Sequence, residues 1–161
     1  MSDDYLKIIP MDLHHVPPVE CHARAVAYLE HLFPEGEECA VDIYDTVRFI
    51  DQGENMEAVI CPTCRARLEL DHLCDDDSTL QWWHDVGDQM EQHPVESIVT
   101  TMPCCRASVR LVDMAFDWPA GFARFEVSIR NPNASENLSD PQLVELSGIL
   151  GCTLRQVRAH Y

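Results

Sequence analysis

The residues best placed to do chemistry are cysteines in two close-set groups. Cys61-Pro62-Thr63-Cys64 is followed, after a gap of 39 residues, by Cys104-Cys105. Thiolate sulfur binds zinc, and four thiolates around one ion close a tetrahedron that leaves no position for a reacting water. In Cys-x-x-Cys the two intervening residues let the chain turn sharply enough for both sulfurs to reach the same ion. The bland alternative is four buried thiols that only pack. The adjacent pair carries a condition, because neighbouring side chains on a strand point to opposite faces. Cys104 and Cys105 can share an ion only if Pro103 forces a turn; otherwise a histidine, His84 or His72, has to take one place. Arg65 and Arg106 stand just after the last cysteine of each group, where a glycine is usual. With Arg67 and Arg110 they are candidates to offset the net charge of about −2 that four thiolates leave on a divalent ion.

Elements that would position these cysteines follow from the flanking patterns. Ala58-Val59-Ile60 precedes the first group, and Ile98-Val99-Thr100-Thr101 precedes the second, with Val109 and Leu111-Val112 after it. Two hairpins with cysteines at their tips describe a zinc ribbon. Between them Thr79 to Gln92 reads as a helix capped by Asp77 or Ser78, with Leu80, Trp83, Val86 or Gly87, and Met90 on one side and Asp85, Asp88 and Glu91 opposite. Asp71 to Ser78 reads as an acidic loop.

On either side of this region the chain repeats a pattern. A short strand at 5–9 leads through Pro17-Pro18 into a helix ending near Phe33, whose face is Val19, Ala23, Val26, Leu29 or Glu30, and Phe33. From Cys39 to Ile50 runs a strand, or two with a break near Asp45, and Cys39, Val41, Ile43, then Val47 and Phe49 read as one face. In the last third, a strand from Phe122 to Arg130 puts Phe125, Val127 and Ile129 on one face. Ser139-Asp140-Pro141-Gln142 starts a helix, either as a capping box or as an Asp cap with Pro in the first position. Leu143, Leu146 and Leu150 form its stripe, Gly151 closes it, and a last strand runs from Thr153 to Tyr161. Each half is a βαβ unit, which runs its two strands parallel with the helix on one face. The expected fold is therefore α+β: a ferredoxin-like sheet of two βαβ-like halves with two helices, spanning 1–53 and 115–161, and an inserted zinc-ribbon lobe at 54–114 that carries a helix of its own.

Charge is the second informative feature. The formal net charge is −17, and residues 1–60 hold 13 acids against 3 bases, residues 61–100 hold 9 against 2, and residues 101–161 hold 6 of each. A field of that sign repels nucleic-acid phosphates, whose affinity for proteins comes largely from Lys and Arg. It attracts basic proteins and speeds their encounter. A solvated surface kept for solubility is the plain alternative. No apolar run approaches the roughly 18 residues of a membrane span, and Met1-Ser2-Asp3-Asp4 lacks the basic-then-apolar pattern of a secretory leader. The expectation is a cytoplasmic chain whose cysteines serve metal or stay as thiols; Cys21, Cys39, Cys74 and Cys152, without ligand spacing, read as buried free thiols.

Ile-Ile-Pro at the end of the first strand, Val-Arg-Phe-Ile-Asp-Gln-Gly-Glu-Asn before Cys-Pro-Thr-Cys, Pro-Cys-Cys, Asp-Trp-Pro-Ala-Gly-Phe-Ala-Arg-Phe at 117–125 and the closing Arg-Ala-His-Tyr form a further set. In these the chain resembles a family of small uncharacterised bacterial proteins with a Cys-Pro-x-Cys…Pro-Cys-Cys zinc-ribbon portion. The resemblance implies the ribbon and brings no activity with it.

Three function classes meet these residues. A non-catalytic acidic zinc-binding protein would bind and neutralise a basic protein partner, as bacterial toxin immunity proteins do; that analogy is one of class. Its contact candidates are Asp75, Asp76 and Asp77 in the acidic loop, Glu35, Glu37 and Glu38 after the first helix, and Trp82. An accessory ribbon protein of transcription or translation would use the neutral last third, where Arg124, Arg130, Arg155 and Arg158 offer a modest basic patch. A zinc-dependent hydrolase or deaminase needs His-x-Glu with Pro-Cys-x-x-Cys or His-Glu-x-x-His, and neither spacing occurs. His14, His15, His22 and His31 lie in the acidic region and suit solvation or capping better than catalysis. The docking protein is the reading taken forward.

Overall fold

The computed structural model describes residues 2–70 and 77–161, with only the backbone of Asp77. In chain order the elements are β1 (Asp4–Pro10), α1 (Val19–Leu32), β2 (Glu38–Ile50), β3 (Ala58–Ile60), β4 (Arg67–Glu69), α2 (Asp77–Gln92), β5 (Val99–Thr101), β6 (Ser108–Arg110), β7 (Ala115–Phe116), β8 (Gly121–Arg130), α3 (Asp140–Leu150) and β9 (Leu154–His160). The protein is α+β, with three helices among the described residues and antiparallel sheets throughout.

The largest sheet has the order β2-β8-β1-β9, and every neighbouring pair is antiparallel. The two strands of each half do run in the same direction, as a helical crossover requires, but they are never neighbours. β8 lies between β1 and β2, and β1 lies between β8 and β9. Interleaving the halves replaces slanted parallel pairing with the perpendicular hydrogen bonds of antiparallel strands. It also makes each half incomplete without the other.

α1 and α3 cover one face of this sheet. Leu6, Ile8, Phe125, Val127 and Ile129 meet Ala25 and Leu29 of α1 and Leu146 and Leu150 of α3, all at 1% exposure or less. The row that α1 turns inward is Ala25, Leu29 and Phe33, at four-residue spacing; Val19, expected on that face, is left 71% exposed in the first turn. α3 starts with the full capping box, Ser139 accepting from the Gln142 N–H while the Gln142 side chain takes the Ser139 N–H, and it ends on Gly151 at φ +73°.

β2 does not keep one face along its length. Ile43 is opposite Phe125 and Arg48 is opposite Ala123, so residues 44–47 stand against Arg124 alone. The Arg124 guanidinium donates to the Tyr44 carbonyl at 3.1 Å and so satisfies part of that bulge. Because strand side chains alternate with a period of 2, the extra residues reassign the faces. Ile43 is 54% exposed, whereas Val47 is buried in a different cluster.

That second cluster belongs to the cysteine region. β3 pairs with β4 and with β7, and β5 pairs with β6, in two small sheets. Val59, Leu68, Val86, Ile98, Met102 and Leu111 pack together there, joined by Val47 and Phe122 from the large sheet. Strands of three residues cannot stand alone in water; three or more strands with an apolar face, or a packed helix, are needed. α2 supplies the helix through Val86, with Trp82, Trp83 and Met90 partly buried beside it.

A candidate metal centre of four cysteines

Each cysteine group sits on a tight turn that ends a short hairpin. In the first, the Cys61 N–H donates to the Ala66 carbonyl at 2.9 Å and the Arg65 N–H to the Cys61 carbonyl at 3.0 Å. In the second, the Met102 N–H donates to the Ala107 carbonyl and the Arg106 N–H to the Met102 carbonyl, both at 2.9 Å. The two turns are the same structure. Aligning them places Cys61-Pro62-Thr63-Cys64-Arg65-Ala66 on Met102-Pro103-Cys104-Cys105-Arg106-Ala107. Cys64 and Cys105 occupy equivalent places, Met102 replaces the first cysteine, and Cys104 stands where Thr63 does. Arg65 and Arg106 take φ of +65° and +63°, the left-handed conformation that explains why glycine is usual there.

This geometry answers the question posed by the adjacent pair. Pro103 to Cys105 form a turn, not a strand, so the alternation rule does not apply and both sulfurs can face one point. The four Sγ atoms of Cys61, Cys64, Cys104 and Cys105 lie within 4.8 Å of one another. Cys61 to Cys105 is 3.8 Å and Cys64 to Cys104 is 3.4 Å. A tetrahedral zinc with bonds of about 2.3 Å needs sulfur–sulfur edges of about 3.8 Å. The donor set therefore fits a four-thiolate ion, and no histidine is needed. Among the described residues this is the one group of His, Cys, Asp and Glu side chains gathered closely enough to hold a metal.

Proton affinities within the cluster are unequal. Burial works against a thiolate at Cys61, but the N–H groups of Cys64 and Thr63 and the neighbouring sulfurs outweigh it and bring this thiol down to about 6. Cys104 is pushed up to about 12, by burial first and then by the sulfurs of Cys64 and Cys61. At Cys105 the Ala107 N–H favours the thiolate, yet burial and the hydrogen bonds with Cys61 and Cys64 leave the net shift upward. Cys61 is fully buried, while Cys64, Cys104 and Cys105 are exposed. A divalent ion entering from the exposed side would displace the remaining protons.

Two of the four arginines expected to offset the sulfur charge are committed elsewhere. Arg67 pairs with Glu57, Glu69 and Asp117, and Arg110 with Asp113. The network around Arg67 ties β4 to the Asp117-Trp118-Pro119 turn. There Gln52, fully buried, donates to the Trp118 carbonyl at 2.9 Å, and Trp118 takes φ +58° and is 41% exposed.

The other candidate residues are not gathered. Trp82 is half-buried and donates its indole N–H to the Thr100 hydroxyl at 2.9 Å. Glu37 and Glu38 flank Arg130 at 3.4 and 3.8 Å, and Glu35 is exposed in the turn after α1. Asp75, Asp76, His72 and Cys74 lie outside the described residues, as does the side chain of Asp77. His84 is exposed on α2, and His14 pairs with Glu96 at 2.6 Å. Cys21, Cys39 and Cys152 are partly buried free thiols.

Sequence reasoning passed over two features. The internal repeat of the two turns was readable as Pro-x-Cys-Arg-Ala in both, and it would have resolved the adjacent cysteines at once. The polar group on the helix-free side of the large sheet had no such signal. Lys7 donates to the Tyr161 hydroxyl at 2.6 Å, Tyr161 donates to Asp51 at 2.9 Å, and Tyr44 donates to Glu126 at 3.3 Å, joining residues from distant parts of the chain. No family model matches the chain, and no curated protein or solved structure matches it.

Proposed function

We propose that this chain is a non-catalytic zinc-binding protein that docks a basic protein partner and neutralises it, in the manner of a toxin immunity protein. The observation that carries the reading is the charge: a net −17, all of it within residues 1–100. The four-sulfur cluster supports a structural role for the ion, because four thiolates fill a tetrahedral shell. The two matching cysteine turns support a zinc ribbon, and the strand order β2-β8-β1-β9 with helices on one face supports a ferredoxin-like frame for it. In this account the ion holds the electronegative lobe rigid, and the partner is recognised by field and by surface shape.

The test is capture of proteins from the native host by the zinc-loaded chain at roughly 0.1 M and roughly 1 M salt, conditions between which exposed electrostatic attraction is largely screened. The expected result is one equivalent of zinc, four cysteines protected from thiol reagents, and a basic protein that binds at low salt, is released at high salt and loses its own activity when bound. Capture of acidic proteins only, or binding indifferent to salt, overturns the reading.

A further inference from the structure

An open groove of about 600 Å³ runs between α2 and β2. We infer that this groove is the docking site for an arginine- or lysine-bearing segment of a basic protein, with Trp83 and Phe49 receiving the side chain and Asp88 and Glu91 its charge. The inference rests on the docking reading above and adds the surface that the reading lacked.

Four observations carry it. Phe49 and Trp83 meet edge to face, with ring centres 6.2 Å apart and planes at 74°; Phe116, Phe122 and Trp82 cover other parts of these rings, and the surface that both leave uncovered lines the groove. Cations are attracted to such faces, most strongly to tryptophan. Asp88 and Glu91 stand on the helix wall of the same groove, both exposed. They line the groove together with the two rings, in a stretch, residues 61–100, that holds 9 acids against 2 bases. Opposite them Arg48 lines the strand wall; its guanidinium has donors for a backbone carbonyl of the bound segment and favours placing the ligand's own cation on the far, acidic side.

Gly87 is the fourth. It sits in the interior of α2, where glycine weakens a helix relative to alanine. A Cβ built on it would meet nothing within 4 Å, so neither packing nor backbone conformation demands a glycine there. What the glycine provides is the opening itself, one turn beyond Trp83 on the same stripe of the helix.

The test uses the zinc-loaded full chain and a capped pentapeptide, Gly-Gly-Arg-Gly-Gly, alongside its citrulline counterpart, which keeps the shape and loses the charge. Titration calorimetry should show the arginine peptide binding about tenfold more tightly than the citrulline one. Gly87→Leu, which fills the groove and improves helix propensity, should abolish binding while zinc content stays at the original value and the melting temperature is held or raised. The double substitution Asp88→Asn with Glu91→Gln should weaken binding by about tenfold, as loss of two exposed charge contacts together does. The double substitution Glu20→Gln with Glu30→Gln, exposed on α1 and outside the groove, should leave it unchanged. No binding of the arginine peptide, equal binding of both peptides, or undiminished binding by Gly87→Leu overturns the inference. Its failure is separable from that of the docking reading: a basic protein captured in a salt-sensitive way by Gly87→Leu as well as by the original chain removes the groove and keeps the docking, whereas capture of no basic protein removes the docking and leaves the peptide titration to judge the groove.

Discussion

Glu126 shows what a single side chain contributes here against its own interest. It is 5% exposed on the helix-free side of the large sheet, and burial raises its carboxyl above the ordinary value, with Asp42 and Asp51 acting the same way and Lys7 and Tyr44 against them. A carboxyl raised on folding favours the folded state while protonated, and that contribution is lost as pH climbs through the raised value. Glutamine cannot ionise and so escapes the loss. Glu126→Gln is therefore expected to be more stable than the original chain at pH 7, with the gap closing as pH falls below about 4. Urea unfolding at a series of pH values measures this, and a Gln variant that is less stable at pH 7 would show that the ionised carboxylate is a net benefit. The neighbouring phenols respond in the same direction: burial and Asp51 raise Tyr161, and burial and Glu126 raise Tyr44.

At the scale of elements, the well-read parts are those whose signals are local. The α3 boundaries come from Ser139, Pro141, Gln142 and Gly151, each acting on backbone groups within a few residues. Ser139→Ala removes the acceptor for the Gln142 N–H and should cost about 1 kcal/mol. Equilibrium denaturation would show it as a lower midpoint with an unchanged slope; an unaltered midpoint would mean water replaces the cap at no cost. The cysteine turns are equally local: in each, backbone hydrogen bonds within six residues close the turn around a left-handed Arg65 or Arg106. The β2 bulge is the opposite case. The alternation marks a break near Asp45, inside the bulge, but not that four residues face one, because the device that stabilises the bulge, the Arg124 guanidinium, comes from 80 positions away.

For the whole molecule, the question is how far the metal centre and the large sheet depend on each other. The strands that carry the cysteines have three residues each, and their core shares only Val47 and Phe122 with the large sheet as fully buried members. The sheet under α1 and α3 has its own core. Stripping the metal with a chelator should therefore release amide protection first at Val59 and Val109 and leave Phe125 and Val127 protected. Hydrogen exchange read residue by residue checks this. Simultaneous loss at all four would mean a single cooperative unit.

Cysteine identity and spacing, the caps of α3, the alternation in β8 and the imbalance of charge were all legible in the chain, because each is a property of residues close together or of composition. Tertiary structure alone decided that the two halves interleave, that Ile43 faces out while Val47 faces in, that Arg67 serves carboxylates instead of sulfurs, and that Gly87 opens a groove beside Trp83. These depend on which distant segments meet, and chain order sets no energy for such meetings until the elements are packed against one another.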